Sequence, residues 1–231
     1  MFETLLAGVI AGFLWLDRYQ LFQLMLSRPI VAGPITGFIL GDFSAGCSVG
    51  IVYELLWLRR PPVGGYIAPD TTLASISATC IAIRLIGAFT MDVQAATTLS
   101  FFVTYPVTII SSRFDGLFRI ILGKFAVLAE KAILNENDKS VLTYITSGLV
   151  LGFISAFFIV TTYVTAGFHL VSWGLDFFPS DYYQILNIGF YAVIILGISD
   201  MIGSFNNRLQ RGAFAVGLVL AASLCIIFSN L

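Results

Sequence analysis

The sequence predicts an all-α polytopic membrane protein, with several transmembrane helices and short re-entrant hairpins in its N-terminal third. Three observations carry that expectation: an apolar composition, five long apolar spans, and a first third in which the apolar runs are broken. Of 231 residues, 58% are hydrophobic and 11% charged, against about 25% charge in a soluble domain. Mean hydropathy is +0.94. These values exclude a disordered chain, an ordinary soluble enzyme and a nucleic-acid binder built on basic patches. A net charge of −1 supplies no long-range field to recruit an anionic polymer.

A membrane-crossing helix needs about 20 apolar residues. Spans of that kind lie near 73–91, 93–112, 143–165, 185–203 and 212–229. Residues 1–60 read differently. Leu5–Leu16 stops at Asp17-Arg18, Leu21–Leu26 follows, and Pro29–Gly41 and Ala45–Leu58 are separated by Asp42. Such Gly/Pro-interrupted pieces are too short to span simply and mark re-entrant hairpins around a transport site. Gly33, Gly37 and Gly41 recur every four residues, as do Gly8/Gly12 and Gly46/Gly50, a spacing that lets helix backbones approach. The whole chain, 1–231, reads as one membrane domain: a hairpin-rich candidate substrate region (1–72), transmembrane 73–112, a cytoplasmic amphipathic segment (113–140) and transmembrane 141–231.

In that segment Phe114, Leu117, Phe118, Ile121, Phe125 and Leu128 follow a helical period, with Arg113, Arg119, Lys124, Lys131 and Lys139 alongside and a turn at 135–138. The expectation is a cytoplasmic surface helix with a hinge loop. No Lys or Arg occurs between Lys139 and Arg208, so by the positive-inside rule an aromatic loop near 166–184, holding His169, lies outside. Arg208 and Arg211, like Arg59 and Arg60, lie inside.

Charged groups within a bilayer cost at least ~2.5 kcal/mol each and face an interior or a cavity. Here they are Asp17, Asp42, Glu54, Asp70, Arg84 and Asp200, four of them within 17–70. Glu54, with Trp57 three residues on, fits either sugar binding (carboxylate to hydroxyls, ring to the C–H face) or an ion pair with Arg28 or Arg84; Trp57 alone also fits an interfacial anchor. Asp70 follows a Pro/Gly-rich stretch and fits an N-cap of the next helix, which leaves ligand contact open. Asp17, Gln20 and Gln23 interrupt an apolar run and need hydrogen-bond partners, from a hydroxyl-rich solute or a neighbouring hairpin. Cys47, Cys80 and Cys225 form no C-x-x-C pair and read as small buried hydrophobes. There is no nucleotide-binding loop, catalytic triad spacing or metal spacing; no cofactor is expected, and nothing points to catalysis by this chain.

The run from Asp17 to Thr79 resembles the membrane IIC subunit of mannose/fructose/sorbose-family phosphotransferase systems (PTS). The residues that carry the resemblance are Leu16-Asp17-Arg18-Tyr19-Gln20, Arg28-Pro29-Ile30-Val31, Gly37-x-x-Leu40-Gly41-Asp42, Gly46-x-x-x-Gly50-x-x-x-Glu54-Leu55 and Pro62-Val63-Gly64-Gly65-x-x-x-Pro69-Asp70. Asn187-Ile188-Gly189 is a weaker counterpart. The resemblance implies a bacterial inner-membrane transport subunit that is not itself an enzyme. It implies a IID membrane partner, cytoplasmic IIA and IIB phosphocarriers that phosphorylate the sugar, a homotrimer of IIC–IID pairs and an elevator-type core. Glu54 and Asp70 would be sugar contacts or supports for them, with Asp17, Gln20, Gln23 and Trp57 as further candidates. About five extra residues precede Arg28-Pro29, so Gln20 and Gln23 compete for one position. The Leu58-Arg59-Arg60-Pro61 stretch also departs from the family pattern. Two other readings are a non-transporting scaffold or regulatory remnant of such a system, and an unrelated small-solute transporter.

Overall fold

The computed structural model describes residues 1–58, 69–177, 183–203 and 212. Among them are seven helices and no strand: α1 (Phe2–Tyr19), α2 (Pro29–Leu40), α3 (Phe43–Trp57), α4 (Thr71–Phe89), α5 (Val93–Leu134), α6 (Asp138–Leu175) and α7 (Tyr183–Gly203). By length and composition α4, α6 and the part of α7 from Ile185 to Gly203 suffice to cross a membrane. The expected span at 212–229, the Arg59-Arg60 and Arg208/Arg211 loops, and the Pro62–Ala68 stretch lie outside the described residues.

The short pieces form the expected hairpin. Pro29 starts α2 at a position where its missing N–H costs nothing. Gly41 ends α2 at φ +97, a left-handed conformation that glycine adopts without strain. The Asp42 carboxylate then accepts the Ala45 N–H at 2.9 Å and caps α3. With 12 and 15 residues, α2 and α3 are shorter than a simple span.

Glycines fix how closely the two helices approach. A Cβ on Gly33 would sit 2.5 Å from the Gly46 carbonyl oxygen, and one on Gly37 would sit 2.8 Å from the Gly46 Cα. Nothing lies within 4 Å of a Cβ on Gly41, so that glycine serves the turn and not the packing face it was expected to share. Gly8 and Gly12 of α1 meet α6 instead, against Thr161, Phe157 and Phe153. Helix α4 runs through the centre: from Thr72 to Ala82 every residue is buried.

Three expectations are corrected. The apolar run that stops at Asp17-Arg18 is followed closely by the end of α1 at Tyr19, but the next run, Leu21–Leu26, is loop and not a second hairpin piece. The amphipathic period does not form a separate helix. It occupies the C-terminal half of α5, which continues for 42 residues through Pro106, because 107–134 contains no proline and its two glycines do not interrupt the ladder. The turn at Asn135–Asn137 is present, and Asn137 caps α6 by accepting the Ser140 N–H. Finally, α6 extends to Leu175, so His169 and Trp173 sit on a helix where a loop was expected.

Candidate functional site

Five charged side chains from α1, the α1–α2 loop, α3 and the start of α4 meet around one loop. At the first turn of α4, Asp70 is 1% exposed. Its Oδ1 accepts the Thr72 and Leu73 N–H groups at 3.1 and 3.2 Å and the Arg18 guanidinium at 2.8 Å. Its Oδ2 accepts the Trp15 indole N–H at 2.9 Å. Arg18 also donates to the Pro69 carbonyl and to Thr72 Oγ1. A carboxylate has about four lone-pair sites, and four donors occupy those of Asp70. The capping reading is therefore present, joined by a buried ion pair to α1.

Asp17, one residue before Arg18, is also buried and turns to the other side. It accepts the backbone N–H groups of Leu24 (2.8 Å) and Ser27 (3.3 Å). On either side of Leu24 the loop holds Phe22, Gln23 and Met25 at φ +48, +53 and +62, a left-handed conformation that costs about 1–3 kcal/mol for each non-glycine residue. The Asp17 contacts and a bond from Thr72 Oγ1 to the Ser27 carbonyl (2.7 Å) hold the loop in that shape.

The loop leads into Arg28, whose guanidinium pairs with Glu54 near the end of α3. The Ile30 N–H reaches the other Glu54 oxygen at 3.4 Å. Of the two partners the sequence left open, the structure gives Arg28. Arg84 lies elsewhere, donating to Thr4 Oγ1 at 3.2 Å with its guanidinium over the Phe168 ring, 3.8 Å from the centroid. With two donors engaged, Glu54 keeps acceptor capacity that Asp70 lacks.

Aromatic groups flank Glu54. The Trp57 ring stacks on Tyr53 with centroids 5.4 Å apart and tilts against Tyr105 at 5.8 Å. The Tyr53 hydroxyl is hydrogen-bonded to Thr104 Oγ1 at 2.6 Å. Gln20 and Gln23 separate clearly. Gln20 reaches across to the Gly148 carbonyl of α6 at 3.5 Å, and its Oε1 is buried without a partner. Gln23 is exposed on the loop.

The structure thus brings Asp17 and Glu54 to the two ends of one loop, links Asp70 to it through Thr72, places Trp57 a turn beyond Glu54, and leaves the Gln23 side chain of that loop exposed. Asn187 is apart from this cluster, donating to Asp92 at 2.9 Å to join α7 to the start of α5. Sequence reasoning missed Trp15, Ser27 and Thr72. Arg18 stood in the motif, but its partner Asp70 is 52 residues away and no spacing announces the pair. Among the described residues no group of His, Cys, Asp and Glu has the arrangement of a metal site.

An all-helical membrane protein with a glycine-packed hairpin whose base is surrounded by buried carboxylates belongs to the class of polytopic transporters. The comparisons with known proteins define the class further. The profile of the family described as PTS system sorbose-specific IIC component matches residues 1–230, and the chain belongs to that family. The mannose-specific EIIC component of the Escherichia coli K12 PTS is 26% identical over 90% of this chain and 73% of its own length. The N-acetylgalactosamine permease IIC component 1 of the same strain is 25% identical over 81% of this chain and 76% of its own length. A shorter match, 32% identical over 83 residues, spans 62% of a further IIC component from that strain, less than two thirds of its length.

In fold, the chain resembles a solved structure described only as a membrane protein, with a TM-score of 0.69 at 23% identity over 99% of this chain and 92% of the other. It also resembles a chain of the mannose transporter ManYZ in complex with microcin E492, with a TM-score of 0.58 at 23% identity over 100% and 95%. The protein is a IIC sugar permease of the mannose/sorbose PTS family, a multi-pass protein of the bacterial inner membrane.

Proposed function

We propose that this chain is the sugar-translocating subunit of a mannose-family PTS, binding a hexose or related sugar together with a IID membrane subunit. Cytoplasmic IIA and IIB carry the phosphoryl group, and the working assembly is a homotrimer of IIC–IID pairs. The observation that supports the reading is that Asp17 and Glu54 hold the two ends of the strained loop at the base of the α2–α3 hairpin, with Asp70 linked to it through Thr72. Their roles differ. Glu54 takes sugar hydroxyls with its remaining lone pairs, and Trp57 offers an aromatic surface beside it. Asp70 and Asp17 are positioning residues: one locks α4 to α1 through Arg18, the other holds the loop that delivers Arg28 to Glu54. Gln20 is a further contact near α6. The hairpin moves with the sugar as a unit, because its glycine faces leave no room to slide.

The test is phosphoenolpyruvate-dependent sugar uptake in vesicles carrying this chain with its IID, IIB and IIA partners. Uptake supports the reading, and phosphocarrier-independent flux or none at all overturns it. Glu54→Gln removes a charge-assisted hydrogen bond worth ~1.5–3 kcal/mol and is expected to weaken sugar binding about tenfold or more while the IIC–IID complex still purifies. Unchanged binding removes Glu54 from the site.

A further inference from the structure

Arg28 carries a guanidinium that the fold does not use up. A guanidinium has five N–H donors; one of them is on Glu54, and no other has a partner among the described residues. The Arg28 side chain is 47% exposed and that of Glu54 14%. Arg28 is thus the outer member of the pair, and a solute approaching Glu54 meets it first.

Stability does not account for this arrangement. An ion pair this exposed adds little to the folded state. The loop ahead of it is already held by Asp17 and Thr72. Glu54 has a second donor in the Ile30 N–H at 3.4 Å, in the first turn of α2.

The local structure instead fixes where the Arg28 side chain starts. A residue before proline is confined to extended conformations, and Arg28, preceding Pro29, has φ −67 and ψ 137. Its N–H donates to the Met25 carbonyl at 3.1 Å, and its own carbonyl accepts the Val31 and Ala32 N–H groups at 2.9 and 2.8 Å. A donor held on a fixed backbone loses less freedom when a ligand engages it.

The two side chains are chemically complementary. A guanidinium only donates and an ionised carboxylate only accepts, whereas a hydroxyl does both. Adjacent ring hydroxyls of a sugar lie about a hydrogen-bond length apart, as do the members of a hydrogen-bonded ion pair. One hydroxyl can accept from Arg28 while its neighbour donates to Glu54.

We propose that Arg28 is a sugar contact acting with Glu54 as one unit, and that the unit reads two adjacent hydroxyls of the substrate. This rests on Glu54 being a sugar contact, as proposed above, and adds that the substrate presents a vicinal diol to the pair.

The test measures binding of mannose, fructose and N-acetylgalactosamine to the purified IIC–IID complex, then compares the tightest of them with its monodeoxy analogues. Arg28→Lys keeps a charge beside Glu54 but replaces the planar fork with a point charge, and is expected to weaken the parent sugar about tenfold. On the analogue that lacks the hydroxyl read by Arg28, the same substitution is expected to change nothing. Glu54→Gln is expected to spare the analogue lacking the neighbouring hydroxyl. Weakening by one common factor for every analogue gives Arg28 a structural role only and overturns the proposal. Unchanged binding of the parent sugar overturns it too, as do spared positions that are not adjacent; in these cases the transport reading stands. If the unsubstituted complex binds none of the three sugars, that reading falls as well. Arg28→Gln, which keeps an amide donor, makes the same comparison should the lysine variant fail to accumulate.

Discussion

The α2–α3 hairpin and the α5–α6 pair solve the same problem in opposite ways. In the hairpin, four glycines bring two short helices into backbone contact, the Arg28–Glu54 ion pair closes the base, and hydrogen bonds to Asp17 and from Thr72 tie the loop before it to α1 and α4. In the long pair, helices of 42 and 38 residues carry large apolar side chains that stay exposed, among them Phe102, Ile109, Phe114, Leu117, Ile145, Ile154 and Phe158. The hairpin is closed by its own chain, and the pair is finished by its surroundings. Substitutions in the hairpin should therefore act on folding and transport whatever the solvent, whereas the exposed faces of the pair should respond to lipid or partner.

The largest effect expected from breaking this contrast is at the base of the hairpin. Asp70→Ala leaves Trp15, Arg18 and two α4 N–H groups without their acceptor, and removing one partner of a buried ion pair costs about 3–5 kcal/mol. Thermal unfolding in detergent should drop steeply or the protein fail to accumulate. Asp70→Asn, which keeps a carbonyl for the cap, should recover part of the loss. Next is Gly33→Ala. Its Cβ meets a backbone oxygen that cannot rotate away, and overpacking of this kind costs about 1–3 kcal/mol, read as lower melting temperature and lost uptake. Asp42→Ala removes the α3 cap and should cost about 1 kcal/mol. The smallest effect is on the other side of the comparison. Gly123→Ala in α5 meets nothing within 4 Å and should raise stability by about 0.5–1 kcal/mol. If Gly33→Ala and Gly123→Ala shifted unfolding equally, the distinction between the two regions would collapse.

The hairpin was legible because its signals are local. Four-residue glycine spacing, Pro29 at a helix start, Gly41-Asp42 at a turn and Asp70 before an apolar run each state a backbone requirement within a few positions. The Arg28 partner of Glu54 was one of two named in advance. What was not legible rests on contacts distant in sequence or on conformations with no residue signature. Phe22, Gln23 and Met25 adopt left-handed backbone although none is glycine, so nothing in their types announced the loop that Asp17 holds. Trp15 reads as an apolar residue until its indole N–H is found on Asp70. The boundary placed at residue 113 followed polarity, but a helix continues wherever its hydrogen-bond ladder is unbroken. The end of α6 was missed for the same reason, since aromatic residues 168–173 are compatible with loop or helix.

Pro106 gives α5 a property that no single contact describes. Proline removes one ladder hydrogen bond and crowds the preceding turn, which marks the natural pivot of a rod about 63 Å long at 1.5 Å per residue. From Pro106 to Leu134 the arm measures about 42 Å on the same rise. Each ten degrees of bend at the pivot therefore carries the far tip sideways by about 7 Å. A change too small to disturb the helix on either side would register there as a displacement larger than the width of a helical backbone.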